Sequence, residues 1–430
     1  MLRSLPAQQV VRVPLQRDHT YLLTPQFPRG NHNPKVLHQL WLGLRKYRLE
    51  SRAHAEIVSC LDRNNTGQFV SLLMDRYAIV YDEGIAEYDF GEGYSLRGDR
   101  FPRYLSLLKS EGVLNRPNIE LVRPKAADDS DLLLVHSEEY IRRVNEIAER
   151  RGFLSDDTPL KPSIVEAVRL IVGAALTAGD YVASGRVKMA QGVGGGLHHA
   201  GRNYGEGWCV FNDVAICAEA MVERHGMERV LIFDSDAHAG NGTMDIFYEE
   251  PRVLYLSVHQ DPKTIYPYTG FVEQIGKGKG EGYTVNVPLP QEADDKCYDL
   301  VLERVFKPII RQFKPQVIIR NGGADPHYQD ELAELGLTYR GLWSIGRAVS
   351  EAAEEAECGL VDLVCGGYNP GYEEKGLYSL LSGELGLDFN YREEGPPPVS
   401  DPAVVFKTKA VINRLSDAIN EYWDIEKFTS

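Results

Sequence analysis

Short apolar runs that alternate with helical stretches constrain the fold of this chain more than any other feature of its sequence. Residues 77–81, 229–233 and 315–320 form runs dominated by apolar residues, with Val and Ile in each, which is typical of buried strands. Strands that alternate with helices imply parallel βαβ units. We therefore predict an α/β fold, a single large domain with a mainly parallel central sheet flanked by helices. The predicted helical stretches cover residues 163–184, 212–225, 296–313, 341–357 and 401–423.

Polar side chains follow two of the predicted strands at the point where each strand ends. Asp234, Asp236 and His238 come directly after the run that ends at Phe233, and Asp325 follows the run at 315–320. Open α/β sheets place their ligand sites outside the carboxyl ends of the strands. Two carboxylates and one imidazole leave one zinc coordination position open for water, as in catalytic sites. Each group taken alone has a structural alternative, a capping Asp beside a packed His.

A pair of histidines stands behind a glycine-rich segment. His198 and His199 follow Gly192-Val-Gly-Gly-Gly196, and glycine lets backbone approach a ligand closely. A phosphate-binding loop is the alternative interpretation of these glycines. It is excluded because no Lys-Ser/Thr pair follows them. Together with the acids and His238, the pair indicates a metal hydrolase.

With these residues in place, the chain resembles the zinc-dependent histone deacetylases and the related acetoin-utilisation and acetylpolyamine deacetylases. The resemblance covers roughly residues 77–424. It implies an arginase/deacetylase-like fold and the zinc-dependent hydrolysis of an acetylated amine. The motifs that carry it occur in the family's order, at residues 195–200 (GGLHHA), 207–213 (GWCVFND), 234–242 (DSDAHAGNG), 266–270 (YPYTG), 282–290 (GYTVNVPLP), 323–325 (GAD) and 366–368 (GGY).

The resemblance implies a role for each of the polar residues named so far. Asp236, His238 and Asp325 would bind Zn²⁺, which polarises the amide carbonyl and lowers the pKa of a water molecule. His198 and His199 would face that water. We assign general acid and base catalysis to His199 and an electrostatic role to His198.

Three more residues complete the implied catalytic set. Tyr368 matches the family tyrosine that donates to the developing oxyanion, although a tyrosine in a glycine-rich turn is its structural alternative. Asp234 would orient His198. Asn241 occupies the position, either Asp or Asn in the family, that lies behind His199. A neutral amide there raises the pKa of His199 less than a carboxylate would.

The resemblance also implies a substrate channel. Asp157 matches a rim aspartate that holds the substrate backbone, with a solvated acidic loop as the alternative. Gly207 precedes Trp208, which replaces the usual phenylalanine of the channel wall, and Tyr266 is the facing aromatic residue. Leu332 matches an apolar residue lining the same pocket. These residues predict a narrower or more polar tunnel than is usual in the family.

A potassium ion beside the zinc is a further implication of the resemblance. Its ligands, partly backbone carbonyls, would come from residues on both sides of the metal site. The matching positions are Asp234, Asp236, His238, Ser257 and Val258.

Charge and composition narrow the partners. The formal net charge of −15 argues against direct nucleic-acid binding and suits a cationic amine or a lysine-rich substrate. The six cysteines form no CxxC pair and indicate a reducing compartment. No apolar run is expected to approach the roughly 18 residues of a transmembrane helix. We therefore predict a cytoplasmic protein without membrane contact, and the sequence carries no prediction of its oligomeric state.

The N-terminal segment differs from the rest of the chain. Residues 1–48 carry eight Lys or Arg against a single Asp, which favours an organelle-targeting segment, an arm that contacts an acidic partner, or a flexible extension. A nuclear or organellar location is the corresponding alternative to the cytoplasm. We predict an N-terminal extension at 1–76, flexible at first and partly helical from 49, a deacetylase domain at 77–424, and a C-terminal tail at 425–430.

Three functions are compatible with the sequence. The leading one is a zinc amidohydrolase that removes acetyl groups from amines. A ureohydrolase such as arginase would share the sheet but use two manganese ions and a richer set of Asp and His residues. A noncatalytic deacetylase-like module that binds acyl-lysine is the third. Acetyl-lysine in proteins, acetylated polyamines and small acetylated metabolites all present an acetamide on a slim aliphatic stem, so all three substrate classes stay open.

Overall fold

An eight-stranded parallel sheet forms the centre of the protein in a computed structural model, which describes residues 76–428. A separate two-stranded antiparallel hairpin, β3 and β4, lies outside this sheet. The predictions for residues 1–75 lie outside the described residues. The strands are β1 (Tyr77–Val80), β2 (Ile119–Val122), β3 (Phe153–Ser155), β4 (Thr158–Pro159), β5 (Met189–Val193), β6 (Val230–Asp234), β7 (Val253–Gln260), β8 (Thr284–Leu289), β9 (Val317–Gly322) and β10 (Gly359–Val364).

The strand order brings four strands of distant sequence together. Across the sheet the order is β2, β1, β5, β10, β9, β6, β7, β8, and every pairing is parallel. In register, Asp234 on β6 pairs with Asn321 on β9 and with Ser257 on β7. Because all strands run in one direction, their carboxyl ends share one edge. The loops that follow β5, β10, β9 and β6 therefore leave the sheet side by side, where open α/β sheets bind ligands.

Helices cover the sheet, as the sequence predicts. Every residue of β6 and β9 is buried, which is expected of parallel strands with both faces covered. The helices are α1 (Arg100–Ser110), α2 (Asp129–Leu132), α3 (Glu138–Glu149), α4 (Pro162–Ala183), α5 (Asp213–Glu223), α6 (Asn241–Phe247), α7 (Asp295–Val301), α8 (Lys307–Phe313), α9 (Tyr339–Glu355), α10 (Glu373–Glu384) and α11 (Pro402–Ile419).

One predicted helix is divided in the structure. The stretch predicted at 296–313 consists of α7, a π-helical turn at Leu302–Phe306, and α8. Pro308 accounts for the interruption, because proline has no N–H and its ring clashes with the carbonyl four residues earlier. A π-helical turn widens the helix and relieves that clash.

One long helix of the described chain is mostly apolar, although Glu166, Arg169 and Asp180 interrupt its apolar residues. Helix α4 has 22 residues and passes the test for a span by length and composition, although 67% of its apolar window is buried inside the protein. A helix that is apolar on all sides is also what the core of a large domain requires. In the structure α4 packs on β1, β5 and β10, so burial in the protein accounts for its composition.

The C-terminal segment packs on the domain. Ile425 is buried, and its carbonyl accepts a hydrogen bond of 2.7 Å from the Ser416 hydroxyl. The N–H of Phe428 donates to Oδ1 of Asn413 at 2.8 Å. The residues predicted to form a tail from 425 are therefore bound to α11 as far as Phe428. All five cysteines of the described chain are free thiols.

Candidate functional site

Four neighbouring strands deliver the predicted polar residues to one edge of the sheet. The glycine-rich loop after β5 leads to α5, and the loop after β6 leads to the short helix α6. The residues come from four loops: His198 and His199 from the loop after β5, Asp236 and His238 from the loop after β6, Asp325 from the loop after β9, and Tyr368 from the loop after β10.

Asp236, His238 and Asp325 converge on one point. Nδ1 of His238 lies 3.1 Å from Oδ1 of Asp236 and 3.1 Å from Oδ2 of Asp325. One ligand atom from each residue lies within 4.8 Å of the other two, and all three side chains are buried. Among the described residues this is the one group of three or more acidic, His or Cys side chains so arranged. The backbone supports it, since the N–H of Ala237 donates to Oδ2 of Asp325 at 3.1 Å.

The electrostatics of this triad fit a divalent cation. Oδ1 of Asp325 is buried and has no hydrogen-bond partner among the described residues. Burial and the adjacent charge of Asp236 raise the pKa of Asp325 well above its ordinary value. A bound cation would neutralise both carboxylates and use the unpaired oxygen. Gly366 lies against the same oxygens, because a Cβ there would come within 2.6 Å of Oδ2 of Asp236.

His198 is bound to a buried carboxylate. Its Nδ1 donates to Oδ2 of Asp234 at 2.8 Å, and the same oxygen accepts from the Tyr255 hydroxyl at 3.0 Å. Burial lowers the pKa of His198, but the charges of Asp234 and Asp236 outweigh it and raise the pKa to about 9. His198 is therefore protonated at neutral pH in the metal-free protein.

His199 has the opposite surroundings. Its Nδ1 lies 2.7 Å from Oδ1 of Asn241, so its partner is the neutral amide anticipated from the sequence. Burial, followed by the charges of His198 and His238, lowers the pKa of His199 well below its ordinary value. The Nε2 atoms of His198 and His199 are 3.2 Å apart. When His198 is charged, its Nε2–H therefore donates to the lone pair on Nε2 of His199.

Tyr368 lies beside the triad. Its ring centroid lies 6.2 Å from that of His238, and its N–H donates to Oδ2 of Asp330 at 2.7 Å. Shielding from water, followed by the charges of Asp236 and Asp325, raises the pKa of Tyr368 well above its ordinary value. The phenol therefore keeps its proton and is able to donate a hydrogen bond.

Two aromatic side chains lie against Tyr368 and His199. The Trp208 ring packs edge-on against Tyr368 with centroids 5.6 Å apart, and the Tyr266 ring packs edge-on against His199 at 4.9 Å. Gly207 has φ +57°, and a Cβ there would lie 2.7 Å from Cδ2 of His199. Glycine is thus required for the wall to approach the imidazole.

Asp157 has a different environment from the one expected of a free rim acid. It lies between β3 and β4, and its carboxylate accepts from the N–H of Gly207 at 3.0 Å. The hydroxyls of Ser155 and Thr158 donate to it at 2.7 Å each. These contacts use much of its acceptor capacity, so in this structure Asp157 anchors the channel wall.

The remaining predicted residues are Leu332 of the substrate channel and the potassium-site residues Ser257 and Val258. Leu332 is 39% exposed, and its N–H donates to Oδ1 of Asp330, the residue that also holds the backbone of Tyr368. Ser257 is buried and its hydroxyl pairs with Nδ1 of His259 at 2.7 Å. Ser257 and Val258 lie on β7 beside the end of β6. The potassium site assigned to these residues with Asp234, Asp236 and His238 stays a prediction.

Sequence analysis missed three residues that contact the site. Asp330 holds the Tyr368 loop, and the Arg100 guanidinium lies 5.3 Å from the Tyr368 ring centroid and donates to the Cys365 carbonyl at 3.0 Å. Oε1 of Glu206 accepts from Nδ2 of Asn241 at 2.7 Å. The one available signal was for Glu206, an acid directly before the Gly207-Trp208 motif.

Comparisons with known proteins agree with this geometry. A family model of the histone deacetylase domain matches residues 95–382. A probable deacetylase of Archaeoglobus fulgidus is 34% identical over 355 residues, which cover 80% of this chain and 98% of that protein. The acetoin utilization protein AcuC of Bacillus subtilis is 33% identical over 297 residues, which cover 67% of this chain and 76% of that protein. The crystal structure of the HDA15 HD domain superposes with a TM-score of 0.71 at 25% identity, over 81% of this chain and 96% of that one.

Proposed function

The chain belongs to the histone deacetylase family and is a deacetylase, and from that premise we propose that it uses one zinc ion to hydrolyse acetylated alkylamines to free amine and acetate. Asp236, His238 and Asp325 are the proposed ligands. The observation that carries this proposal is the convergence of their ligand atoms within 4.8 Å of one another, beside a histidine pair and a tyrosine.

When bound, zinc supplies a Lewis acid that polarises the acetamide carbonyl and makes a neighbouring water more acidic. The protein supplies the proton transfers. Because His199 donates through Nδ1 to Asn241, its Nε2 keeps a lone pair, and this nitrogen lies 3.2 Å from Nε2 of His198. In our proposal this nitrogen takes a proton from the attacking water and returns it to the leaving amine.

Two further residues stabilise charge in the proposed reaction. In our proposal His198, held by Asp234 through Nδ1, is an electrostatic partner beside the reacting atoms. The phenol of Tyr368 donates to the oxygen that becomes negative in the transition state. The raised pKa of Tyr368 supports this role because the proton stays on the phenol.

The proposed substrates share a slim aliphatic stem. Trp208 and Tyr266 provide aromatic faces for such a stem, and aromatic faces also attract a cationic group farther along the substrate. The ureohydrolase alternative is less well supported, since the described residues contain one triad rather than the larger ligand set of a two-metal site. The noncatalytic module is less well supported, since a histidine pair and a tyrosine lie beside the triad.

A side-by-side assay of acetate release tests the proposal. The zinc-loaded full chain is incubated with an acetyl-lysine peptide, a monoacetylated polyamine and a small acetylated metabolite at equal concentrations. We expect turnover of at least one class, and the ranking identifies the substrate class. An amine with a branched stem serves as the control and should react poorly. The proposal is wrong if none of the three classes releases acetate.

A further inference from the structure

We propose that Glu206 is a positioning residue that fixes the tautomer of His199 through the amide of Asn241, an inference that rests on the proposed function. The evidence is a chain of two short hydrogen bonds. Nδ1 of His199 donates to Oδ1 of Asn241 at 2.7 Å, and Nδ2 of Asn241 donates to Oε1 of Glu206 at 2.7 Å.

The direction of these bonds follows from the chemistry of the three groups. An ionised carboxylate only accepts hydrogen bonds, whereas an amide has one accepting and one donating end. Asn241 must therefore turn its NH₂ towards Glu206 and its oxygen towards His199. That oxygen requires a proton on Nδ1 of the imidazole and leaves the lone pair on Nε2.

Loss of the carboxylate would remove this constraint. The Asn241 amide would then be free to rotate by half a turn and present its NH₂ to Nδ1 of His199. The imidazole proton would move to Nε2, and Nε2 would no longer accept a proton from water. A carboxylate at position 241 cannot present a donor to Nδ1 of His199, since both of its oxygens accept hydrogen bonds. Glu206 thus keeps the oxygen of the Asn241 amide facing His199, whereas an aspartate at that position would present an oxygen in either orientation.

The surroundings keep Glu206 close to the histidine. The residue is half-buried and directly precedes Gly207, whose backbone is anchored by Asp157. Burial raises the pKa of the Tyr266 hydroxyl, and the charge of Glu206 is the next largest cause. The Tyr266 ring in turn packs against His199 with centroids 4.9 Å apart. Glu206 therefore lies close to Asn241 and to Tyr266, and both of these residues contact His199.

A spectroscopic experiment tests the tautomer directly. The zinc-loaded full chain is labelled with ¹⁵N-histidine, and the His199 resonances are identified by their loss in His199→Ala. We expect Nδ1–H in the native protein and a shift towards Nε2–H in Glu206→Gln, because glutamine both donates and accepts. Glu146→Gln is the matched control: it removes an equal charge on α3, where Glu146 accepts from the Arg142 guanidinium, and should leave the spectrum unchanged.

A kinetic cycle separates positioning from general structural support. Glu206→Ala should lower kcat about tenfold with KM unchanged, as for other residues that orient a catalytic histidine. In an Asn241→Asp background the same substitution should leave kcat unchanged or raise it. In that background the introduced carboxylate fixes the tautomer of His199 without help from Glu206. The negative charge of Glu206 then only repels the introduced carboxylate.

An equal loss of kcat in both backgrounds would overturn the proposal, as would a native spectrum in Glu206→Gln. A tautomer shift in a protein that releases no acetate would support the role of Glu206 while refuting the proposed function.

Discussion

Two adjacent histidines have opposite protonation preferences, and this difference divides the proposed chemistry between them. Carboxylates raise the pKa of His198 to about 9 despite its burial, whereas burial lowers the pKa of His199 well below its ordinary value. At neutral pH the first ring therefore favours the charged form and the second ring the neutral form. Their Nε2 atoms are only 3.2 Å apart, so the fixed charge lies next to the proposed base.

Removal of either proposed catalytic group should reduce turnover without loss of metal. His199→Ala removes the proton acceptor, and Tyr368→Phe removes the oxyanion donor without changing the shape of the ring. We expect each variant to lose at least about a hundredfold in kcat. The measurement is acetate release under saturating substrate.

Zinc content and thermal unfolding of the same preparations provide the control. Neither residue belongs to the proposed ligand set, so both variants should bind zinc and melt as the native protein does. Near-native turnover in a variant that retains zinc would disprove the role of the residue replaced.

At the residue scale, the sequence predicted the site residues that form short motifs and missed contacts between residues far apart along the chain. Asp236 and His238 are two positions apart after a strand, and the structure brings both to one point with Asp325. Glu206 was missed because its contact with Asn241 spans 35 residues. The environment of Asp157 was missed for a similar reason, since its partner Gly207 is 50 residues away.

At the scale of elements, apolar runs predicted strands well and one helix poorly. The runs at 229–233 and 315–320 correspond to β6 and β9 within two residues, because buried parallel strands require continuous apolar sequence. The stretch at 296–313 has a helical pattern throughout, yet Pro308 forces the π-helical turn before α8. Periodicity reports which face is buried and carries little information about backbone hydrogen bonds.

Helix α4 depends on one glycine for its close approach to the preceding segment. A Cβ at Gly173 would lie 1.9 Å from the Lys125 carbonyl oxygen, and the N–H of Ala127 donates to the Arg169 carbonyl nearby. Gly173→Ala should therefore destabilise the protein by about 1–3 kcal/mol, as overpacking typically does. Urea unfolding measures this change in the free energy of unfolding.

Gly179 in the same helix is the matched control. A Cβ there would meet the terminal methyl of Met221 at 2.5 Å, and that flexible side chain is able to move. Gly179→Ala gains helix propensity of about 1 kcal/mol and should be neutral or slightly stabilising. Equal stability of the two variants would contradict the proposed docking of α4.

At the scale of the whole molecule, the order of strands creates the site. The four strands whose loops carry the polar residues are neighbours in the sheet but are separated along the chain by other strands and helices. The sequence predicted a mainly parallel sheet, which the structure confirms. It did not predict the order of strands, because pairing across the sheet depends on contacts between segments that no local pattern encodes.

Buried neutral histidines should make the folded state sensitive to acid. Burial lowers the pKa of His136 to about 4, from an ordinary value of 6.5, and its Nε2 accepts from the N–H of Asn212 at 3.0 Å. Between pH 4 and pH 6.5, His136 therefore binds a proton in the unfolded chain but not in the folded protein. Stability is therefore complete above pH 6.5 and declines by about 3 kcal/mol as the pH falls to 4.

His136→Gln tests this contribution because glutamine can accept the same hydrogen bond without titrating. Unfolding free energies measured between pH 4 and 7 should fall less steeply in the variant. Some dependence should persist, since burial also lowers the pKa of His259 to about 4. An unchanged slope would show that His136 does not contribute.

The number of zinc ions needed for turnover tests the central claim most directly. Chelator-treated full chain is titrated with zinc while acetate release from the best acetylated amine is measured. We predict that activity rises from zero and saturates at one zinc ion per chain, and that Asp325→Ala neither retains the ion nor regains activity. Saturation at two ions per chain, or acetate release that does not depend on zinc, would contradict a single-zinc deacetylase.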